Sequence, residues 1–264
     1  MVSLTAGAAI RPRAFVRVAG PNAADYLQRM VSNDVAALPV GGSCEALLLT
    51  PKARVIAPLV VWRRGVDDFL LLTEPELGEP VRAHLQRLRF AARCEIEAEQ
   101  HVSVLELGRT EGGIANRDYG VPAVEILDGE APADPVPDDE LERLRILAGS
   151  PRYGRELDDR VLPAEAGLEE RAISFTKGCY PGQEPVARLH YRGHPNRTLR
   201  TLVIDASEPP PYDAEIHHGD KVVGRVTSTA RDAERGLVAL AYVRVQVPAD
   251  AELRVGAAAA RSLD

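Results

Sequence analysis

Apolar and polar residues change period several times along the chain. Residues 14–18 (AFVRV) read as a strand, and Gly20-Pro21-Asn22 then opens a helix whose Tyr26, Leu27, Met30 and Val31 share one face. Residues 45–49 and 55–62 are apolar runs joined by Thr50-Pro51-Lys52-Ala53-Arg54, the pattern of a hairpin, and residues 68–73 form a further strand. Val81, Leu85 and Leu88 recur at helical spacing. A helix therefore starts between Pro75 and Pro80, where proline is tolerated because first-turn N–H groups have no intrahelical partner. Strands at 95–98 and 102–107 complete an α+β unit.

Residues 128–140 (DGEAPADPVPDDE) are acidic, rich in proline and nearly free of large apolar side chains, which predicts an exposed connection between two halves. Leu141, Leu144 and Leu147 mark a short helix stopped by Gly149. Beyond Leu199 short strands alternate with turn residues (TLRTLVID, DKVVGRVTST, GLVALAYVRV, AELRV), the pattern of a small antiparallel β domain. The expected division is an α+β half over 1–127, a linker over 128–140, a second α+β segment over 141–198 and a β domain over 199–264.

Composition narrows the function. With 45% hydrophobic and 27% charged residues among 264, the chain suits an ordinary soluble fold, and its 21 Gly and 20 Pro are scattered as turn punctuation. A net charge of -7 argues against a direct nucleic-acid or anionic-membrane binder, since phosphates call for a basic surface. No stretch approaches the roughly 18 apolar residues of a membrane span and residues 1–10 lack the pattern of a signal peptide, so a cytoplasmic setting is expected. Three widely spaced cysteines suit a reducing compartment. Cys44 and Cys94 lie in apolar or strand-like runs and read as small buried hydrophobes.

Cys179 stands apart, in residues 173–197, ISFTKGCYPGQEPVARLHYRGHPNR. Gly178 and Gly182 allow a tight turn that carries the thiol outward. Pro185 suits the first turn of a following helix, and that helix N-terminus together with Lys177 favours a thiolate. By local chemistry alone an inert buried cysteine stands level with a functional one. Glu184 is either a helix-start carboxylate or an acceptor for paired ligand donors. Lys177, Arg188, Arg192, Arg197 and Arg200 face a single acid, Glu184, an excess that suits either an anion or a solvated face. His190 and His194 have metal-ligand spacing, but Gly193 and Pro195 break the helix that would align them, so no metal site is expected. His217 and His218 would point to opposite faces of a strand. Pairing Cys179 with His190 as a thiol hydrolase rests on residue types alone. There is no Walker loop or dinucleotide fingerprint.

Lys177, Gly178, Cys179, Tyr180, Gly182, Gln183 and Glu184 match the K-G-C-Y-x-G-Q-E signature of the YgfZ family, relatives of the glycine-cleavage T-protein. Residues 149–157 (GSPRYGREL) and 162–165 (LPAE) resemble the segments that lead up to it. Ser32-Asn33-Asp34 and residues 50–54 resemble the family's T-N-D and T-P-K-G-R segments, with Ala53 where glycine is usual. The resemblance covers nearly the whole chain and is weakest over 67–140. It implies a three-part α+β ring around a central folate pocket with a C-terminal antiparallel β-barrel. It also implies binding of tetrahydrofolate or a derivative, and a role in assembling or repairing iron–sulfur clusters of client proteins, acting indirectly on tRNA modification.

On this resemblance Cys179 is the reactive thiol with Lys177 beside it. Glu184 is the pterin-binding carboxylate, and Gln183, Tyr180, Arg192, Arg197 and Asn33 are expected around the folate. The alternative is tetrahydrofolate-dependent aminomethyl or methyl transfer of the T-protein type. T-proteins carry an aspartate at a helix start after a V-x-N strand. Aligning Leu71-Leu72-Thr73 with that strand puts Pro80 there, or Glu79 with a one-residue shift. Proline can act neither as acid nor as base, which favours an accessory protein over a transferase.

Overall fold

The computed structural model describes residues 5–263. Strands β1 (Gly7–Ile10), β2 (Ala14–Ala19), β3 (Ser43–Leu49), β4 (Val55–Gly65), β5 (Asp68–Thr73), β6 (Glu95–Glu99), β7 (Ser103–Leu107), β8 (Ile114–Asn116) and β9 (Ala123–Leu127) sort into two antiparallel sheets. One has the order β3-β4-β5-β2-β6 and the other β1-β7-β9-β8. The central strand β5 shows why they pack together. Phe69 and Leu71 point into the core beneath two helices, α1 (Ala23–Met30) and α2 (Gly78–Arg87), while Leu70 and Leu72 point the other way and meet Ile114 of the second sheet. Alternation along a strand thus gives β5 two buried faces. Tyr26 and Leu27 of α1 and Val81 and Leu85 of α2 fill the first core, and the Tyr26 hydroxyl donates to Leu85 O at 2.6 Å, joining the helices.

Strands β1, β8 and β9 escape the hydrophobic pattern. β8 has three residues, and β9 carries a carboxylate, Glu125, at a fully buried position. The fold satisfies it internally. Arg13 Nε donates to it at 3.0 Å, Ser103 Oγ at 2.7 Å and Asn116 Nδ2 at 2.8 Å. Burial opposes ionisation, but the Arg13 guanidinium outweighs it and holds the carboxyl down at about 2.

Helix α3 (Asp138–Leu147) begins three residues before its leucine pattern, because Asp138, Asp139 and Glu140 occupy its first turn, where carboxylates oppose the positive helix end. Val136, just before it, is buried and donates its N–H to Ala8 O at 2.8 Å, so the acidic stretch closes against β1. Short α4 (Glu169–Ala172) and α5 (Gln183–Arg192) lead to the barrel. There β10 (Arg197–Ile204), β11 (Glu215–His218), β12 (Lys221–Asp232), β13 (Gly236–Arg244), β14 (Leu253–Val255) and β15 (Ala258–Ser262) close antiparallel in the order β10-β13-β12-β11-β14-β15. β13 is buried on both faces: Ala239 and Ala241 fill the barrel, while Val238 and Leu240 receive Ile146 of α3. Tyr242 joins Leu47, Leu49 and Val55 of the first sheet in one core, so the three parts close on one another. Among the described residues no helix is long and apolar enough to cross a membrane.

Replacing Glu125 by glutamine takes from the buried Arg13 its nearest counter-charge, leaving Glu74 at 3.9 Å and Asp118 at 4.0 Å, and should cost about 3 kcal/mol at neutral pH. Because the folded carboxyl ionises below the ordinary carboxylate value, its contribution is complete above that value and is lost as pH falls toward 2. Urea unfolding across pH should therefore show the gap between parent and variant narrowing only in acid.

Candidate functional site

A cavity of about 760 Å³ lies where the N-terminal sheets, α3 and the barrel meet. Arg11 after β1, Glu74 and Glu76 after β5, Tyr119, Arg145 of α3, Tyr153, Tyr212 and Ser228 of β12 contribute to its walls. Arg145 is almost wholly buried with all its donors in use: Nε and Nη2 reach Glu142 at 2.9 and 2.7 Å, Nη1 reaches Glu156 at 3.0 Å and Ser150 O, and Nη2 also reaches Ser228 Oγ at 2.9 Å. Ser228 Oγ in turn donates to Glu156 at 2.6 Å. This network fixes one wall. Opposite it, Arg11 Nη2 lies 3.5 Å from both Glu74 and Asp118, and its guanidinium is 5.7 Å from the centre of the Tyr119 ring. Burial pushes the Tyr119 phenol up to about 12, so it faces the cavity as a neutral group.

The signature turn lies elsewhere. Gly182 caps α5 with φ +84°, and a Cβ there would stand 2.6 Å from Thr50 O and 3.1 Å from Ala53 Cα. The K-G-C-Y and T-P-K-A-R segments thus touch backbone to backbone, a contact open only to glycine. Ala53 itself adopts φ +59° and is buried, which explains the glycine usual at that place in the resembling family. The S-N-D segment holds the same turn from its other side. Ser32 Oγ donates to Ala172 O at 2.6 Å and accepts from Leu47 N at 2.8 Å, and Ser174 N donates to Ser32 O at 3.0 Å. Lys177 Nζ donates to Val31 O and Asn33 O, both at 2.7 Å. Burial lowers this ammonium to about 8, and the thiol that feels its charge is Cys44, itself pushed up to about 12 by burial. Cys179 is exposed on this turn, and among the described residues no hydrogen bond joins it to His190. His190 instead stacks on Phe175 at 3.9 Å between ring centres.

None of the residues expected around the folate lines the cavity. Glu184 is exposed in the first turn of α5. Gln183 begins that helix and is half-buried, and Arg192 is exposed at its end. Tyr180 is buried against Leu49 and Val55. Arg197 is held by Glu165 at 3.1 Å and lies 4.6 Å over the Tyr242 ring. Asn33 uses its amide on Glu45 O at 2.7 Å and Arg171 O at 3.4 Å. Lys177, expected beside the thiol, anchors the turn instead. Glu79 is exposed and bonded to Arg82 at 2.8 Å, and neither it nor Pro80 reaches the cavity.

The cavity residues Arg11, Glu74 and Arg145 were not singled out from the sequence, and Glu156, which bonds Arg145, entered only within the 149–157 resemblance. Two signals were present. Arg145 follows Leu141 by one turn on the core face of α3, and Glu74 follows directly on the buried strand FLLLT. A charge at a core position calls for a partner.

No protein-family model matches the chain. The YgfZ tRNA-modifying protein of Edwardsiella ictaluri is 28% identical over 289 residues, covering 91% of this chain and 85% of that one. Human mitochondrial iron-sulfur cluster assembly factor IBA57 is 28% identical over 232 residues, covering 72% of this chain and 65% of that one. The structure of glycine cleavage system aminomethyltransferase T from Bartonella henselae superposes with a TM-score of 0.85 at 21% identity, over 98% of this chain and 84% of that one. The two sheets, helices and closed barrel are thus those of the aminomethyltransferase T fold. Within that class, with the signature turn packed as described, the chain has a YgfZ-type, T-protein-like fold.

Gly182→Ala should destabilise the protein by about 2 kcal/mol or more, since the left-handed backbone alone costs an alanine about 1–2 kcal/mol and the new methyl meets backbone atoms that cannot rotate away. Thermal unfolding checks this. An unchanged midpoint would mean that the two turns separate without cost.

Proposed function

We propose that this protein binds a reduced folate in the central cavity and supports assembly or repair of iron–sulfur clusters in other cytoplasmic proteins through Cys179, affecting tRNA modification through those clients. The cavity volume of about 760 Å³ falls within the roughly 300–1,000 Å³ range of small-molecule sites. Its walls offer the aromatic rings of Tyr119, Tyr153 and Tyr212 beside charged groups, as a flat polar heterocycle with an anionic tail requires. Relatives named as a tRNA-modifying protein and as an iron-sulfur cluster assembly factor support the cellular role.

The observation that carries the thiol half is the position of Cys179. It is exposed on a turn pinned by Lys177, Ser32 and Gly182, so the fold holds it rigidly at the surface. A soft sulfur so placed can attack a partner or supply one ligand to a cluster. Among the described residues no three His, Cys, Asp or Glu side chains converge as a metal site, so the remaining ligands of such a cluster would come from the client. Transfer of the T-protein type is the weaker reading, because Glu79 and Pro80 stand outside the cavity.

Titration with tetrahydrofolate and its formyl and methyl derivatives should show binding by at least one; no binding by any overturns the folate half. Limited alkylation followed by mass spectrometry should mark Cys179 before Cys44 and Cys94, whose thiols burial raises. Cys179→Ser should keep the fold and the folate site yet fail to restore iron–sulfur enzyme activity in a deletion strain. Full restoration would remove the thiol from the function.

A further inference from the structure

We propose that His101 is a protonated clasp that ties the crossover between the two N-terminal sheets to the start of the 128–140 segment, and that this clasp slackens when His101 loses its proton. It goes beyond the folate reading and does not depend on it. His101 lies between β6 and β7, where the chain passes from one sheet to the other. Its Nδ1 is 2.7 Å from Asp128 Oδ2 and its Nε2 is 2.9 Å from Glu99 Oε2. The ring packs edge-to-face on Phe15 with centres 5.2 Å apart, at the margin of the core that the two sheets share. Asp128 is drawn onto the same crossover by its backbone. It accepts from Val102 N at 3.1 Å through Oδ1 and donates its own N–H to Val102 O at 2.7 Å.

A neutral imidazole carries a single N–H, so it can donate to one of these carboxylates only, and its other nitrogen would turn a lone pair toward a carboxylate oxygen. Two contacts this short require the imidazolium, which donates both. The charges on the surrounding elements agree. Glu99 of β6 is bonded by Arg64 of β4 at 2.8 and 3.0 Å and lies 3.5 Å from Arg17 of β2, and Asp68 of β5 is bonded by the same two guanidinium groups at 3.2 and 3.1 Å. Those cations face Glu99 and Asp68, so among the described residues Asp128 has no cation but His101. Burial opposes the imidazole's charge, but the hydrogen bonds from Glu99 and Asp128 outweigh it and move the group above its ordinary value. With the folded value raised, the clasp's contribution to stability is complete below the unfolded value of about 6.5 and is lost as pH rises through the folded one.

Imidazole nitrogen shifts followed by NMR across pH on the full chain should show both His101 nitrogens protonated at neutral pH, with a midpoint above about 6.5. His84, which burial and Arg87 lower, is the contrast within the same molecule. Titration of His101 at or below the ordinary value overturns the proposal. Amide hydrogen exchange at Val102 and Asp128, corrected for its intrinsic rise with pH, should lose protection by about 3- to 10-fold across the His101 titration, as loss of one exposed hydrogen bond implies. Protection that stays level there overturns the slackening. Asp128→Asn distinguishes a clasp from a histidine that merely packs. Asparagine tolerates the left-handed backbone at 128, where φ is +55°, and keeps an oxygen for Val102 N, but its amide offers Nδ1 a donor in place of an acceptor. His101 should then titrate lower than in the parent, and the pH-dependent loss of protection should disappear. An unchanged His101 titration in the folded variant removes Asp128 from the clasp and overturns the proposal. The first two readings use the parent alone, so they decide the matter even if the variant does not fold.

Discussion

The Arg145–Glu156 pair sits where α3, the 150–157 segment and barrel strand β12 converge, and the cavity exists because those three pieces are held there. A buried ion pair is costly to desolvate, and it is tolerated only where the remaining hydrogen-bonding capacity is filled. Glu142, Ser150 O and Ser228 fill it for the guanidinium, while Arg152 N and Ser228 fill it for the carboxylate. Removing Arg145 would leave Glu156 buried without a counter-charge among the described residues, whereas removing Glu156 would leave the guanidinium its two bonds to Glu142. Polar contacts therefore tie α3 and the 150–157 segment to the barrel here, beside the apolar packing of Ile146 on Val238 and Leu240, and a wall made of charges can also face a polar ligand.

The signature turn follows a different logic. Three segments far apart in the chain meet there, and most of their polar atoms are spent on backbone carbonyls and amides. Asn33 bonds Glu45 O and Arg171 O, Lys177 bonds Val31 O and Asn33 O, and Ser32 bonds Ala172 O. Residues that look chemical in one dimension thus have structural work in three. What they leave exposed is the thiol, while the Tyr180 hydroxyl is buried without a hydrogen-bond partner among the described residues. A neutral Lys177 amine would still have two N–H donors for its two carbonyls, so burial can depress its basicity without undoing the anchor.

Much of the fold was legible because period and punctuation agree along the chain. The strand at 68–73, the hairpin across 50–54 and the strand-rich tail each carry their own local signal. β9 was hidden because Glu125 breaks its alternation, and its bonding partners lie on β7 and β8 and at Arg13 before β2. The same reason hid the cavity. Arg11 and Glu74 are 63 positions apart and meet only once the sheets have formed, so local spacing is silent about them. The signature drew attention to Glu184 because motif residues cluster in sequence, whereas ligand walls are assembled from strand ends and loops of different elements.

Cavity and thiol turn are separate, yet one short element stands between them. Arg171, in α4, bonds Asp118 and Glu45 through its guanidinium and accepts from Asn33 at its carbonyl, and the chain then runs directly through Ala172 and Ser174 to Lys177. Such continuity is contact, and coupling would further require two alternative arrangements of the connecting element. These ties form a single well-bonded arrangement. The more economical relation is therefore thermodynamic: a ligand held among Arg11, Glu74 and their neighbours stabilises the native state by RT ln(1 + [L]/Kd), and with it the set of contacts that presents Cys179.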